Sequence, residues 1–262
     1  MFTAKLTWID DPKKDISFDI TWLLGSLYKN GNILSKHWSM ANKHNTIAAY
    51  VSIPEIDSLH EKNYNKYIKE QSNIYPSYEI LGEDIDTDFV CDCKNPSAYI
   101  LYTNYYISES PVICYDCLDP VPLYKIPYIN DEDEHLYILT WRDNYQALDK
   151  LQMNGLLEKT CGQQLFDRYS ELSTQGIEIC RELEKVLNKN VFYYLHKMTG
   201  DSYEAEISKK CPECGGDWKL KEPEYIFEFK CEKCRLFSNI ACSFAFDNSG
   251  ENDEDNEEDL QK

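Results

Sequence analysis

Eight of the eleven cysteines in this 262-residue chain stand in close pairs, and their spacing is that of a metal-binding set. Cys211 and Cys214, then Cys231 and Cys234, are two Cys-x-x-Cys pairs enclosing 16 residues. A tight turn carrying each pair brings two thiolates onto one ion at about 2.3 Å, and two such turns close a tetrahedral zinc site. Gly215 and Gly216 follow the first pair, where backbone N–H groups must curl towards the sulfurs. Four ordinary buried cysteines would not need this spacing. A rubredoxin-type iron site is the alternative metal, since thiolates also suit iron. An earlier set reads Cys91-Asp-Cys93, twenty residues, then Cys114 and Cys117. It predicts a second four-cysteine site, although Cys-x-Cys is a less usual half-site. The expected cofactor is zinc, two ions per chain.

The pattern selects among chemistries. Both sets offer thiolates alone, so both sites read as closed and structural, without the open position that a catalytic zinc keeps for water. The histidines, at 37, 44, 60, 135 and 196, stand beside no cysteine pair, and no phosphate-cradling glycine loop or nucleophile elbow is present. No catalytic residue is assigned, and an enzyme is the weaker class. A redox Cys-x-x-Cys would need no matching second pair, so metal binding is preferred over thiol exchange. Cys161 and Cys180 read as buried small hydrophobes.

Charge bears on partners. The formal net charge is −19; residues 247 to 262 hold eight acids and one lysine, −7 of that total, leaving −12 on the remainder. Such a surface repels phosphate backbones and favours basic proteins. Against this, Lys219, Lys221, Lys230, Lys233 and Arg235 cluster in the second cysteine set and interleave with Trp218, Tyr225, Phe227 and Phe229. They are the candidate nucleic-acid-binding residues; the competing reading makes those aromatics the small core of a ribbon. The partner is thus a basic protein or a nucleic acid. No run approaches a membrane span and the N-terminus lacks signal-peptide features, so the expectation is a cytoplasmic protein with no membrane partner.

The elements that must position these groups follow from periodicity. Alternation predicts strands at 2–8, 33–40, 47–53 and 78–81, with helices at 15–28 (capped by Asp15, stopped at Asn30-Gly31) and 58–71. The order β-α-β-β-α-β is that of a ferredoxin-like domain over 1–86. A cysteine-rich zinc-binding segment over 87–130 includes a strand within 97–106. A helical domain over 131–206 holds helices at 143–154 and 162–187 and a strand at 191–196. A zinc ribbon over 207–246 carries strands at 218–220 and 225–230, and a disordered acidic tail occupies 247–262. The fold class is α+β.

Several stretches together, CDC…SPVICYDCLDPVPLYKIP, LDKLQMNG, FYYL, KKCPECGGDWKL and FKCEKCRLFSN, resemble a bacterial family of unknown function. Its members are described as zinc-ribbon-containing with a suggested nucleic-acid-binding role. The resemblance covers roughly Met1 to Phe244. It implies that Cys91, Cys93, Cys114, Cys117, Cys211, Cys214, Cys231 and Cys234 belong together as one functional set. The acidic tail has no counterpart in it.

Overall fold

The computed structural model describes residues 1–10, 15–84 and 89–247. The boundary expected at residue 86 and the acidic tail beyond Asp247 lie outside them. The chain is a mixed α+β protein of two compact units, each built from two segments: Met1–Asp143 with Ile179–Val191, and Asn144–Glu178 with Phe192–Lys262.

In the first unit, β1 (Phe2–Ile9), α1 (Ser17–Asn30), β2 (Ser39–Lys43), β3 (Thr46–Ile53), a short α2 (Lys66–Lys69) and β4 (Ser77–Glu83) follow in order. The strands form an antiparallel sheet, β2-β3-β1-β4. Alternation puts Ala4, Leu6 and Trp8 of β1 on the same buried face as Ala49, Val51 and Ile53 of β3. α1 buries Ile20, Leu23, Leu24 and Leu27 at helical spacing. It stops where expected. Gly31 takes φ 84°, its N–H bonds Tyr28 O, and the N–H of Asn32 bonds Leu27 O. A Cβ on Gly31 would also fall 2.5 Å from Leu123 Cβ, so this glycine is fixed both by conformation and by packing.

Two expected elements differ, each for a local reason. The strand at 33–40 begins only at Ser39. Ser35 Oγ accepts from the N–H of His37 and donates to its carbonyl, bending the chain after the buried Ile33 and Leu34. The helix at 58–71 is reduced to α2 between two 3₁₀ turns. Here side-chain amides take the backbone groups that a helix would use: Asn32 Nδ2 donates to Ser58 O, Asn30 Nδ2 to Asn63 O, and Asn65 Oδ1 caps Ile68 N.

The cysteine-rich segment of this unit contributes a buried hairpin, β5 (Ala98–Leu101) and β6 (Val112–Cys114), with Tyr99 opposite Cys114. Three helices follow: α3 (Leu136–Met153), α4 (Glu158–Phe166) and α5 (Glu171–Leu187). The single helix expected over 162–187 is therefore two. Asp167 Oδ1 accepts from Tyr169 N, and Ser170 Oγ accepts from Ser173 N, so the chain turns and a new N-cap starts α5. α5 then runs unbroken through Gly176.

β7 (Asn190–Leu195), which belongs to the second unit from Phe192 on, is followed in that unit by α6 (Tyr203–Ile207), β8 (Lys219–Glu224), β9 (Phe227–Cys231), β10 (Leu236–Ser238) and α7 (Cys242–Asp247). The strand order is β7-β10-β9-β8, with β10 parallel to β7 and antiparallel to β9. Phe192, Phe227 and Phe237 stack in its core. No helix among the described residues is long and apolar enough to cross a membrane.

Candidate metal centres

All eight paired cysteines come together as the spacing requires, in two groups of four. Cys91, Cys93, Cys114 and Cys117 form one; Cys211, Cys214, Cys231 and Cys234 form the other, with the sulfurs of each group within 4.8 Å of one another. Four sulfurs at about 2.3 Å from a tetrahedral ion lie about 3.8 Å apart along each edge. Cys214 Sγ and Cys231 Sγ are 3.8 Å apart. The donor set and its size therefore fit zinc.

Local backbone explains why the sulfurs converge. The residue after each Cys-x-x-Cys has positive φ: Leu118 at 64°, Gly215 at 68° and Arg235 at 56°. In the first two cases its N–H returns to the carbonyl of the leading cysteine, Leu118 to Cys114 and Gly215 to Cys211, both at 2.9 Å. Only one of these positions is glycine, so the sequence announced one turn in three. A further brace, the N–H of Cys211 to Gly216 O, closes the knuckle, and a Cβ on Gly216 would approach Cys214 Sγ to 3.4 Å.

The first centre sits at the end of the β5–β6 hairpin. Cys114 ends β6, its N–H bonded to Asp119 O, while the N–H of Cys91 bonds Pro120 O. Asp116, inside the knuckle, accepts from both the N–H and the hydroxyl of Ser97. These bonds hold its carboxyl below the ordinary carboxylate range. They also tie the Cys-x-Cys limb to the Cys-x-x-Cys limb. Neither Ser97 nor Asp116 carried any signal in the sequence.

The second centre has an outside brace of the same hidden kind. Arg168, in the turn between α4 and α5, places Nε 2.5 Å from Glu213 Oε2, and Tyr169 OH donates to Pro212 O at 3.3 Å. Pro212 and Glu213 are the two residues between Cys211 and Cys214. From the other side Lys209, two residues before Cys211, pairs with the buried Glu206, and Trp218 Nε1 donates to Lys209 O.

Burial pushes the thiol pKa of Cys91 up to about 12 and raises those of Cys117, Cys211 and Cys234. Cys214 goes the other way, down to about 7, because the Gly216 N–H and the neighbouring thiols donate towards its sulfur. Four adjacent thiolates repel one another, so a cation is what lets the set ionise together and sheds the protons. Burial differs between the centres. Cys91 and Cys114 are buried and Cys93 and Cys117 half-buried, whereas Cys214 is exposed.

The candidate nucleic-acid residues share one region but not one role. Lys219, Lys221 and Lys233 are exposed. Lys230 is held by Glu224 at 3.2 Å and Glu232 at 2.9 Å, its ammonium over the Phe192 and Phe237 rings. Arg235 lies 4.0 Å from Glu232 and over Phe192. Trp218, Phe227 and Phe229 are buried, and Tyr225 alone of the four aromatics is exposed, at the β8–β9 turn.

Two groups of four cysteines that could each hold a metal ion, on an α+β scaffold, define the class of protein this is. The chain belongs to a bacterial family of unknown function. Residues 93–196 match the family described as "Domain of unknown function (DUF2310)", and residues 200–244 the one described as "Domain of unknown function (DUF8594)". Two Haemophilus influenzae proteins, both described as uncharacterised, are among its relatives. One is 34% identical over 210 residues, covering 75% of this chain and 78% of the relative. The other is 35% identical over 177 residues, covering 65% of this chain and 85% of the relative. No solved structure matches.

Proposed function

We propose that this chain is a zinc-stabilised binding protein whose two tetracysteine centres are structural, and that its partner is a basic polypeptide. The observation that carries the metal is the pair of four-sulfur groups, one edge of the second, Cys214 to Cys231, having the length of a zinc tetrathiolate edge. In this reading β8, β9 and β10 with the second centre form a zinc ribbon. The antiparallel order β2-β3-β1-β4 supports a ferredoxin-like module at the N-terminus. Elemental analysis of protein purified without chelator should find about two zinc ions per chain. One ion would remove a centre, and none would end the proposal.

The choice of partner rests on where the ribbon's cations and aromatics sit. Lys230 and Arg235 face carboxylates, and three of four aromatics are core, so few groups remain for phosphates and bases. Nucleic acid is the second reading, favoured by the exposed Lys219, Lys221, Lys233 and Tyr225. One truncation separates the two. A chain ending at Phe246 loses seven net negative charges. Its association with a basic protein should slow and become less salt-dependent, because steering is lost. Tighter binding of the truncated chain to DNA or RNA at physiological salt would reverse the assignment.

A further inference from the structure

The second unit contains a half-open cavity of about 560 Å³ that the metal centres do not use. One face of α4 contributes Glu158, Lys159, Gly162, Gln163 and Phe166, at the spacing that places side chains on a common side of a helix. α3 adds Gln152, and the stretch after β7 adds Lys197 to Thr199. Its volume falls within the range of small-ligand sites.

Its lining is specific in three ways. Gln152 is nine-tenths buried, yet its carboxamide oxygen has no hydrogen-bond partner among the described residues. A buried amide left incomplete costs stability unless a ligand or water completes it. Opposite that carboxamide lies Gly162, where a Cβ would stand 2.7 Å from Gln152 Nε2, so any larger residue would push the amide aside. Finally, the lining charges balance: Lys159 and Lys197 against Glu158 and Asp167, in a protein whose net charge is −19.

Lys197 is also fixed in place. Its ammonium lies 4.9 Å over the Phe166 ring and 2.6 Å from the buried Glu206. Glu206 is shared with Lys209, also at 2.6 Å, and Lys209 also feels the Glu228 carboxylate, so Lys197 divides one carboxylate with a second cation and is not fully neutralised by it. A cation held this way needs no reorganisation to receive an anion.

We propose that this cavity binds a small zwitterion, an amino acid or a dipeptide. Its carboxylate would be received by Lys197 and Lys159, and its ammonium by Glu158 and Asp167. The carboxamides of Gln152 and Gln163 match a main-chain amide, and Phe166 and Met198 give an apolar side chain somewhere to lie. The cavity shares Glu206 with the support of the second centre, and its test reads ligand binding separately from zinc content.

The test is thermal unfolding of the full-length protein against the standard amino acids and a set of dipeptides. At least one should raise the melting temperature saturably, by about 4 °C at tenfold above its Kd. The N-acetyl and methyl-ester forms of that compound, each lacking one charge, should not. Lys159 and Gln163 are exposed, so Lys159→Glu and Gln163→Trp should fold with unchanged zinc content and lose the response. A panel without a single saturable response overturns the site. An N-acetyl form as effective as its parent overturns the zwitterion class in favour of a plain anion. A response that survives both substitutions places the binding elsewhere and overturns the cavity.

Discussion

His135 shows what one buried side chain can do to a whole protein. It is 1% exposed and packs 4.7 Å from the Tyr128 ring, with the Leu123 backbone as a weak polar neighbour that only partly offsets burial. Burial pushes its pKa down to about 4, from an ordinary 6.5. Between those values the unfolded chain binds the proton and the folded one does not, so stability rises with pH across the window and is lost as pH falls through it. The full effect is about 3 kcal/mol. Burial lowers His196 in the same direction, so it adds to the slope. His135→Leu should flatten the dependence of urea-unfolding free energy on pH between about 6.5 and 4. An unchanged slope would mean that the ring is solvated or partnered in solution. Nothing in the sequence distinguished His135 from the other four histidines, because burial is a property of the finished fold. The cysteines were legible for the opposite reason, since their chemistry dictates their spacing.

At the scale of elements, legibility follows whether the deciding interactions are local. The stop of α1 was readable because Gly31 acts through its own backbone, although the helix runs to Asn30, two residues past the expected end, and begins at Ser17 with Ile16, not Asp15, at the N-cap position. The break at Asp167 to Ser170 was not, because Leu165, Leu172, Ile179 and Leu183 keep helical spacing across it. Asp and Ser act there as caps, a use that periodicity does not register. That same turn carries Arg168 and Tyr169 to the Cys211 knuckle. Supporting bonds around a metal site commonly change affinity by about 10- to 100-fold. Arg168→Ala should therefore speed zinc loss to a competing chelator about tenfold from the second centre, while the first keeps its rate. Equal rates in mutant and parent would reduce Arg168 to a surface ion pair. The aromatics around the second centre show the same division: alternation predicts strands at 218–220 and 225–230, the structure has them at Lys219–Glu224 and Phe227–Cys231, and burial assigns Trp218, Phe227 and Phe229 to the core.

At the scale of the molecule, neither compact unit is a continuous stretch of chain, which no composition shift in the sequence betrayed. The first unit includes Ile179–Val191, whose Ile179, Cys180, Leu183 and Val191 are buried. Leaving them out removes about 6 kcal/mol or more of apolar burial, comparable to the whole stability of a domain. A chain ending at Asp143 should therefore be protease-sensitive and lack a cooperative thermal transition. A sharp transition in that fragment would show that the first segment folds alone.

The same interleaving sets a schedule on the ribosome. Cys117, the last thiol of the first centre, is made some seventy residues before Val191 completes its unit. At roughly 5–20 residues per second that is roughly 4–15 s of synthesis. During that interval four thiols emerge on a nascent chain whose unit still lacks its closing segment. An ion captured then would staple the β5–β6 hairpin before its unit is finished, and a delay in metal supply would leave those thiols open to oxidation while translation runs on.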